Sequence, residues 1–167
     1  LITLNLSKNR LQECDFEQEL PNLQFLDLSF NELERLSKLP SKKLLHLNLS
    51  NNRIESIDFE PHLSLQHLDL SNNGLENIPS HLSSFKNLKE IILSENLLHD
   101  FQEIQTNLPK AVLTTLRLDG NRYDCKSSLI ELQSLACLVC LEILDLGGNP
   151  LEDFATSKNI DLRPFLL

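Results

Sequence analysis

The chain has 167 residues, a length typical of one folded domain, and its hydrophobic and charged fractions of 41% and 23% match an ordered protein. No run approaches the ~20 apolar residues of a membrane-spanning helix, so we expect no membrane insertion. The net charge of −9 argues against binding to nucleic acid or to an acidic membrane surface, and it favours a partner with a basic patch.

One pattern, Leu-x-x-Leu-x-Leu-x-x-Asn-x-Leu, recurs seven times along the chain. Its copies start at Leu1, Leu23, Leu44, Leu65, Leu88, Leu113 and Leu141. Each Leu-x-Leu segment predicts a short β-strand whose side chains alternate between two faces. Because one repeat cannot bury its leucines alone, stacked repeats must share a continuous core.

The asparagine of the pattern follows each predicted strand and occurs in all seven copies. A side-chain amide both donates and accepts hydrogen bonds, so it can satisfy backbone groups of a tight turn. We expect these asparagines to form a buried ladder along the stacked repeats. Solvated turn asparagines are the alternative, which fits seven in-phase occurrences poorly.

The second half of each repeat must return the chain to the start of the next strand. Apolar residues in segments 16–20 and 57–63 have helical or near-helical spacing. Ile78-Pro79 predicts a return that is extended at first, since proline has no backbone donor. In the longer sixth repeat, the apolar residues of segment 127–138 predict a helix of roughly two to three turns.

The repeated pattern resembles that of the leucine-rich-repeat superfamily, and the resemblance covers essentially the whole chain. It implies an α/β fold, a solenoid in the shape of a curved horseshoe with a parallel β-sheet on its concave face. Short helices, 3-10 helices and extended segments would form the convex face. We expect a single domain over residues 1–167.

The regular pattern stops after Leu151. Asn149-Pro150-Leu151 and the later Leu162-Arg163 resemble the capping segment of intracellular leucine-rich-repeat proteins, which we expect over about residues 150–167. That cap usually has an aromatic residue where this chain has Leu162. The paired cysteines of an extracellular cap do not follow Asn149 in the sequence.

The four cysteines lie in two repeats, Cys14 in the first and Cys125, Cys137 and Cys140 in the sixth. Cys14 has no intrachain partner within reach in a solenoid, whereas one disulfide among the other three stays open. A zinc site needs four ligands, and a thioredoxin-type pair needs a strand-to-helix setting. Buried structural thiols fit better, and free thiols indicate a reducing compartment.

Strand residues that alternate with the core leucines are expected to form columns on the concave face, because neighbouring strands lie ~4.8 Å apart. The candidate partner-binding residues in and beside these columns are Phe25, Asp27, Phe30, His46, Asn48, His67, Asp69, Glu90, Ile92, Arg117, Ile143 and Asp145. Exposed apolar and aromatic side chains are typical interface anchors, and the acidic residues predict a protein partner with a basic patch around apolar anchors. Alternatively, Phe25 and Phe30 only pack on a neighbouring strand or on an upstream repeat.

His46 and His67 occupy the same column of adjacent repeats, with Asp69 nearby. This arrangement raises the question of a metal site or of a pH switch. Two histidines and one carboxylate without a ligand-spacing motif are too few for a metal site, so we expect partner contacts and neither metal nor cofactor.

Sequence motifs for catalysis are absent. The four glycines build neither a phosphate loop nor a dinucleotide fingerprint, and no Gly-x-Ser-x-Gly elbow occurs. Carboxylates on an open concave face would also lack the enclosed pocket that catalysis needs. We therefore expect no enzymatic activity.

The resemblance implies a protein–protein interaction module, namely an adaptor, scaffold or regulatory subunit that is cytoplasmic and monomeric on its own. A preorganised sheet loses little entropy on binding. The alternative is a fragment of an extracellular leucine-rich-repeat receptor or adhesion ectodomain. Asn-x-Ser sequons at Asn5 and Asn48 permit this alternative, although both are the Asn-Leu-Ser of the repeated strand.

Overall fold

Seven three-residue strands, one in each repeat, form the framework of the computed structural model, which describes residues 1–57, 59–124 and 129–151. The strands are β1 (Thr3–Asn5), β2 (Phe25–Asp27), β3 (His46–Asn48), β4 (His67–Asp69), β5 (Glu90–Ile92), β6 (Thr115–Arg117) and β7 (Ile143–Asp145). They form one parallel sheet in the order β1 to β7, with equivalent residues of successive repeats in register. The predicted solenoid with a parallel sheet is confirmed.

The middle residue of each strand faces the core. In the five central strands these residues are Leu26, Leu47, Leu68, Ile91 and Leu116, and each is at most 2% exposed. Because side chains alternate along a strand, the two flanking residues of each strand face the concave side. Burial of each leucine or isoleucine stabilises the stack by about 1.5–3 kcal/mol.

The backbone turns left-handed once in every repeat, at the residue before the ladder asparagine. These seven residues are Lys8, Phe30, Asn51, Asn72, Glu95, Gly120 and Gly148, with φ between 50° and 66°. Glycine and asparagine tolerate this conformation, whereas a bulky side chain adopts it only with strain. The amide of the left-handed residue still donates to the next repeat, as from Phe30 N to Ser50 O at 3.0 Å.

The ladder of asparagines is present from the second repeat onward, with four of its six members buried and Asn52 and Asn73 half-buried. Asn9 of the first repeat is exposed and bonds only carbonyl oxygens of its own turn, which differs from the expected burial of all seven. The Asn96 Nδ2 donates to the carbonyl oxygens of Leu70, Leu93 and Ser94 at 3.0–3.1 Å, and its Oδ1 accepts from Leu75 N at 3.1 Å. The same four bonds recur at Asn31, Asn52, Asn73, Asn121 and Asn149. Each amide therefore joins its own turn to the preceding repeat by pairing three backbone carbonyl oxygens and one backbone N–H group.

The return segments differ from the helical expectation in their early repeats. Segments 16–20 and 57–63 contain turns and bends, and no helix occurs among their described residues. Repeats of 21–22 residues leave too few residues for a helical turn once the strand and asparagine turn are formed. The fourth repeat has a short 3-10 helix over Ser80–Ser84, preceded by extended Pro79 (φ −55°, ψ 121°) as predicted.

The longer fifth repeat contains the α-helix α1 (Phe101–Asn107), which the sequence analysis did not single out. Asp100 caps it by accepting a hydrogen bond from Gln102 N at 2.8 Å, and Phe101 and Ile104 are buried. The Phe101 ring packs on Tyr123, with ring centroids 4.6 Å apart. Tyr123 fills the last apolar position of the sixth repeat and is fully buried, with no hydrogen-bond partner for its hydroxyl among the described residues.

In the sixth repeat, the helix predicted over 127–138 is present, but the predicted helix type is wrong. The structure has a 3-10 helix over Leu129–Cys137, while residues 127 and 128 lie outside the described range. The buried leucines Leu132, Leu135 and Leu138 are three residues apart, which matches the three residues per turn of a 3-10 helix. Most of the capping segment expected over about 150–167 also lies outside the described residues, which end at Leu151.

The cysteines are less uniformly buried than the sequence analysis expected. Cys14 and Cys137 are half-buried free thiols, and Cys140 is a free thiol exposed to solvent, while Cys125 lies outside the described residues. Burial raises the pKa of Cys14, with Asp15 adding to the effect, and burial also raises the pKa of Cys137. Cys14 and Cys137 are thus held in the unreactive thiol form.

Candidate functional site

A row of stacked rings crosses the concave face of three neighbouring strands, β2, β3 and β4. The parallel register places Phe25 beside His46 and His46 beside His67. The rings of Phe25 and His46 stack with centroids 4.5 Å apart, and those of His46 and His67 stack with centroids 4.1 Å apart. Because strand spacing sets the separation of equivalent side chains, one ring at the same position in three consecutive repeats brings the rings close enough to stack.

The row ends on a carboxylate. Glu90 is the next residue of the column, and its Oε2 lies 2.7 Å from Nδ1 of His67. Burial lowers the pKa of His46, and the neighbouring His67 acts in the same direction, while Glu90 opposes both effects. The row is therefore a flat surface that ends on a carboxylate, and burial favours the neutral form of His46 at its centre.

A second column of polar residues runs beside the rings. Asp27 Oδ1 accepts from both the backbone nitrogen and the hydroxyl of Ser29, at 2.9 and 2.7 Å. Asp69 Oδ1 accepts from Ser71 in the same way. These bonds hold the Oδ1 atom of each carboxylate, so its Oδ2 atom can make other contacts. In the part of the chain that the structure describes, neither Asp27 nor Asp69 has a lysine or arginine partner.

The two columns enclose a shallow, open cavity of about 390 Å³. Its lining brings together eight of the twelve sequence-predicted residues, namely Phe25, Asp27, His46, Asn48, His67, Asp69, Glu90 and Ile92. It also includes Thr3 and Asn5, which belong to the same columns but were not selected from the sequence. Ile92 is half-buried, so it is less accessible than expected.

Phe30 lies outside this cavity, beyond the end of β2. Its side chain is 51% exposed, and its backbone is left-handed with φ 54°. The ammonium of Lys8, in the equivalent position of the first repeat, lies 5.8 Å from the ring centroid. Phe30 and Phe25, which is 39% exposed, are therefore both accessible apolar groups, as predicted.

The remaining three predicted residues lie farther along the sheet. Arg117 lines a neighbouring polar cavity of about 550 Å³, together with Glu90, Glu95 and Asp119. Ile143 is 48% exposed, while Asp145 Oδ1 accepts from Gly147 N at 3.1 Å. Glu95 and Asp119 were not predicted, although Glu95 is an acidic residue at a position that asparagine or glycine occupies in four of the other six repeats.

Within residues 1–57, 59–124 and 129–151, no group of three or more histidine, cysteine or acidic side chains is arranged to hold a metal ion. No helix in the described part of the chain is long and apolar enough to cross a membrane. The chemistry that this concave face offers is therefore apolar stacking combined with carboxylate hydrogen bonding.

Comparison of the sequence with protein families agrees with this repeat architecture. The model described as leucine-rich repeats in two copies matches residues 1–41 and 63–110, which is more than half of the chain, and a single leucine-rich-repeat model matches residues 43–62. The chain belongs to the leucine-rich-repeat family. Leucine-rich-repeat domains generally mediate protein–protein interactions.

Several solved leucine-rich-repeat structures are similar to this chain. YopM from Yersinia enterocolitica WA-314 is 25% identical, with a TM-score of 0.66, over 89% of this chain and 29% of its own. The leucine-rich-repeat domains of APL1B and APL1 are 23% and 24% identical, both with a TM-score of 0.61. Each comparison covers 89% of this chain, and 48% and 43% of those chains. The chain thus spans less than half the length of these structures, and no curated protein sequence matches it significantly.

Proposed function

We propose that this chain is an adaptor, scaffold or regulatory subunit that binds a protein partner through its concave face and acts by binding rather than by catalysis. One observation carries the proposal. The cavity over the first five strands combines a row of three rings, of which Phe25 is exposed, with fixed carboxylates. Of these carboxylates, Asp27 and Asp69 have no lysine or arginine partner among the described residues.

The physical chemistry of that cavity suits a protein partner with a basic patch around apolar anchors. Burial of a partly exposed ring such as Phe25 by a partner contributes favourable free energy to binding. Aromatic residues are accordingly enriched among interface hot spots. Asp27 and Asp69 would attract basic side chains and speed their association. The short strands hold these groups in register before binding, so little ordering is required.

The experiment compares three forms of the 167-residue chain as baits in cell lysate. The first is the wild type, and the second carries Phe25→Ala, Asp27→Lys and Ile92→Ala. The third is a matched control on the return segments, with Leu63→Ala, Glu60→Lys and Val139→Ala, all at exposed positions. Captured proteins are identified by mass spectrometry, and the affinity of each purified partner for all three forms is then measured.

We expect the wild type and the return-segment control to bind the partner equally, and the concave-face variant to lose it. Thermal melts establish that all three forms are folded. A partner that binds the concave-face variant as tightly as the wild type would place the interface elsewhere and refute the proposal. If the concave-face variant melts like an unfolded chain, the assignment of Phe25, Asp27 and Ile92 to the surface is wrong.

We also propose that the chain works in the cytoplasm, a reducing compartment. Cys14, Cys137 and Cys140 form no disulfide with one another in the described part of the chain, and this supports the proposal, since thiols persist where glutathione keeps them reduced. The test is to produce the chain both in the cytosol and through the secretory route of eukaryotic cells. A secreted form that gains a disulfide, a glycan on Asn5 or Asn48, and a higher melting temperature would favour the extracellular alternative instead.

A further inference from the structure

The row of rings on the concave face is open at one end only. Phe25 is covered on one ring face by His46, with an angle of 13° between the ring planes. The opposite face is directed toward β1, where the register places Thr3 beside Phe25. A threonine side chain is too small to cover a phenyl ring, and Phe25 is 39% exposed. The ring therefore presents an uncovered face to the cavity.

The other end of the row is closed. The ring of His67 is covered by His46, with only 7° between the ring planes. Its other face is directed toward β5, where Glu90 is the next residue of the column, with its carboxylate 2.7 Å from Nδ1 of His67. A planar group that prolongs the stack would meet this side chain, so Phe25 is the end at which such a group can be added.

A carboxylate oxygen lies beside the uncovered face. Asp27 is two residues after Phe25 on the same strand, so both side chains face the cavity. Its Oδ1 is held by Ser29, whereas its Oδ2 accepts only a 3.3 Å bond from the Asn5 amide. That oxygen has room for a further charge-assisted hydrogen bond, which is stronger than one from a neutral donor.

We propose that this end of the cavity is a slot for an arginine side chain of the protein partner, whose guanidinium stacks on Phe25 and donates to Asp27. The face of an aromatic ring carries partial negative charge, so it attracts a cation placed over it. A guanidinium is flat, is weakly hydrated and donates from a fixed fork, whereas the lysine ammonium is compact and strongly hydrated. This inference deepens the proposed function and rests on it, since it names the partner group that the concave face recognises.

The test uses small probes and nuclear magnetic resonance of the full 167-residue chain. N-acetyl-arginine methylamide is titrated in parallel with its lysine and citrulline analogues. The lysine analogue keeps the positive charge but has no planar guanidinium group. The citrulline analogue keeps a planar group but carries no charge. We expect the arginine probe to shift the resonances of Phe25 and its neighbours, and to bind about threefold more tightly than either analogue.

Three variants locate the slot. Phe25→Leu removes the ring and should abolish the arginine preference, and Asp27→Asn should weaken arginine binding about threefold. Asp15→Asn is the matched control, because it makes the same substitution at an exposed carboxylate of the first return segment, outside the cavity. We expect this control to bind the probe as the wild type does.

The proposal is overturned if the three probes shift the same resonances with equal affinity, or if the arginine preference survives Phe25→Leu. Amide spectra of each variant show whether it is folded. Failure here is distinguishable from failure of the proposed function. Suppose that the concave-face variant loses the partner but the probes show no arginine preference. The arginine slot is then refuted, while the concave face remains the partner-binding surface.

Discussion

Phe30 is the residue whose backbone conformation fits its side chain least well. It occupies the left-handed position that asparagine holds in the third and fourth repeats and glycine in the last two. A phenylalanine in this region is strained, and its ring is 51% exposed, so little burial offsets the strain. The contact between the Phe30 ring and the Lys8 ammonium offsets only part of this backbone strain.

We predict that Phe30→Asn raises the free energy of unfolding by about 1 kcal/mol, because asparagine relieves the left-handed strain at this position. Urea denaturation followed by circular dichroism measures the change. If Phe30 also contacts the protein partner, the same substitution weakens partner binding while it stabilises the chain.

The reverse substitution in the next repeat is the control. Asn51 has φ 56° at the equivalent position, and Asn51→Phe should lower the free energy of unfolding by a similar amount. A stability decrease for Phe30→Asn, or no change for Asn51→Phe, would show that the left-handed backbone is not strained by a bulky side chain here.

The sequence predicts which side chains reach the concave face, but it does not predict their contacts. Twofold alternation along each strand placed Phe25, His46 and His67 in one column, and the structure agrees. Their stacking depends on side-chain rotamers, which a repeat pattern does not specify. The partial burial of Ile92 likewise depends on neighbouring side chains rather than on its position in the repeat.

The ring stack acts at the scale of three neighbouring strands, and it makes stability depend on pH. Burial and the adjacent His67 lower the pKa of His46, and Glu90 opposes them, so the folded chain protonates His46 less readily than the unfolded chain. Above the ordinary histidine value of about 6.5 both states are neutral and no effect remains. Below it, the unfolded chain takes up the proton first, and acid therefore favours unfolding.

We predict that the free energy of unfolding falls more steeply between about pH 6.5 and pH 5 for the wild type than for His46→Gln. Chemical denaturation at a series of pH values measures the two slopes. His99→Gln, at an exposed histidine outside the stack, is the control and should keep the wild-type slope. Equal slopes for wild type and His46→Gln would contradict the prediction.

The elements of the return segments are predictable only where the local signals are strong. Helix α1 has a capping aspartate, Asp100, and buried residues Phe101 and Ile104 at helical spacing. These signals span only seven residues, so the dominant repeat pattern obscures them. In the sixth repeat, the leucine spacing of three residues is compatible with both an α-helix and a 3-10 helix, so the spacing alone does not select the 3-10 form.

At the scale of the whole molecule, each repeat is stabilised by the repeats on either side. The core runs without interruption from Leu23 to Leu151, and the asparagine ladder connects every repeat to the one before it. Such a molecule has nearest-neighbour stability, so damage at a central repeat removes support from both directions. The parallel sheet and its register were predictable from the seven in-phase leucine and asparagine positions, whereas the return segments were not.

We predict that Leu70→Asp, in the central repeat, lowers the free energy of unfolding by at least about 4 kcal/mol, because the buried aspartate would have no charge partner. Leu70 is completely buried. Urea denaturation measures the loss, and Leu63→Asp provides the same substitution at a leucine that is 67% exposed. A stability change at Leu70 no larger than that at Leu63 would be incompatible with a shared core.

The buried Tyr123 gives the molecule an optical probe of its own. It is the only tyrosine, and the chain has no tryptophan, so its near-ultraviolet absorbance and fluorescence report on one place, the contact with Phe101 between the fifth and sixth repeats. Burial raises the pKa of the phenol, with Glu103 and Asp100 adding to the effect. The folded chain should therefore show no phenolate band in alkali that ionises free tyrosine, and the appearance of that band marks the loss of packing between these two repeats.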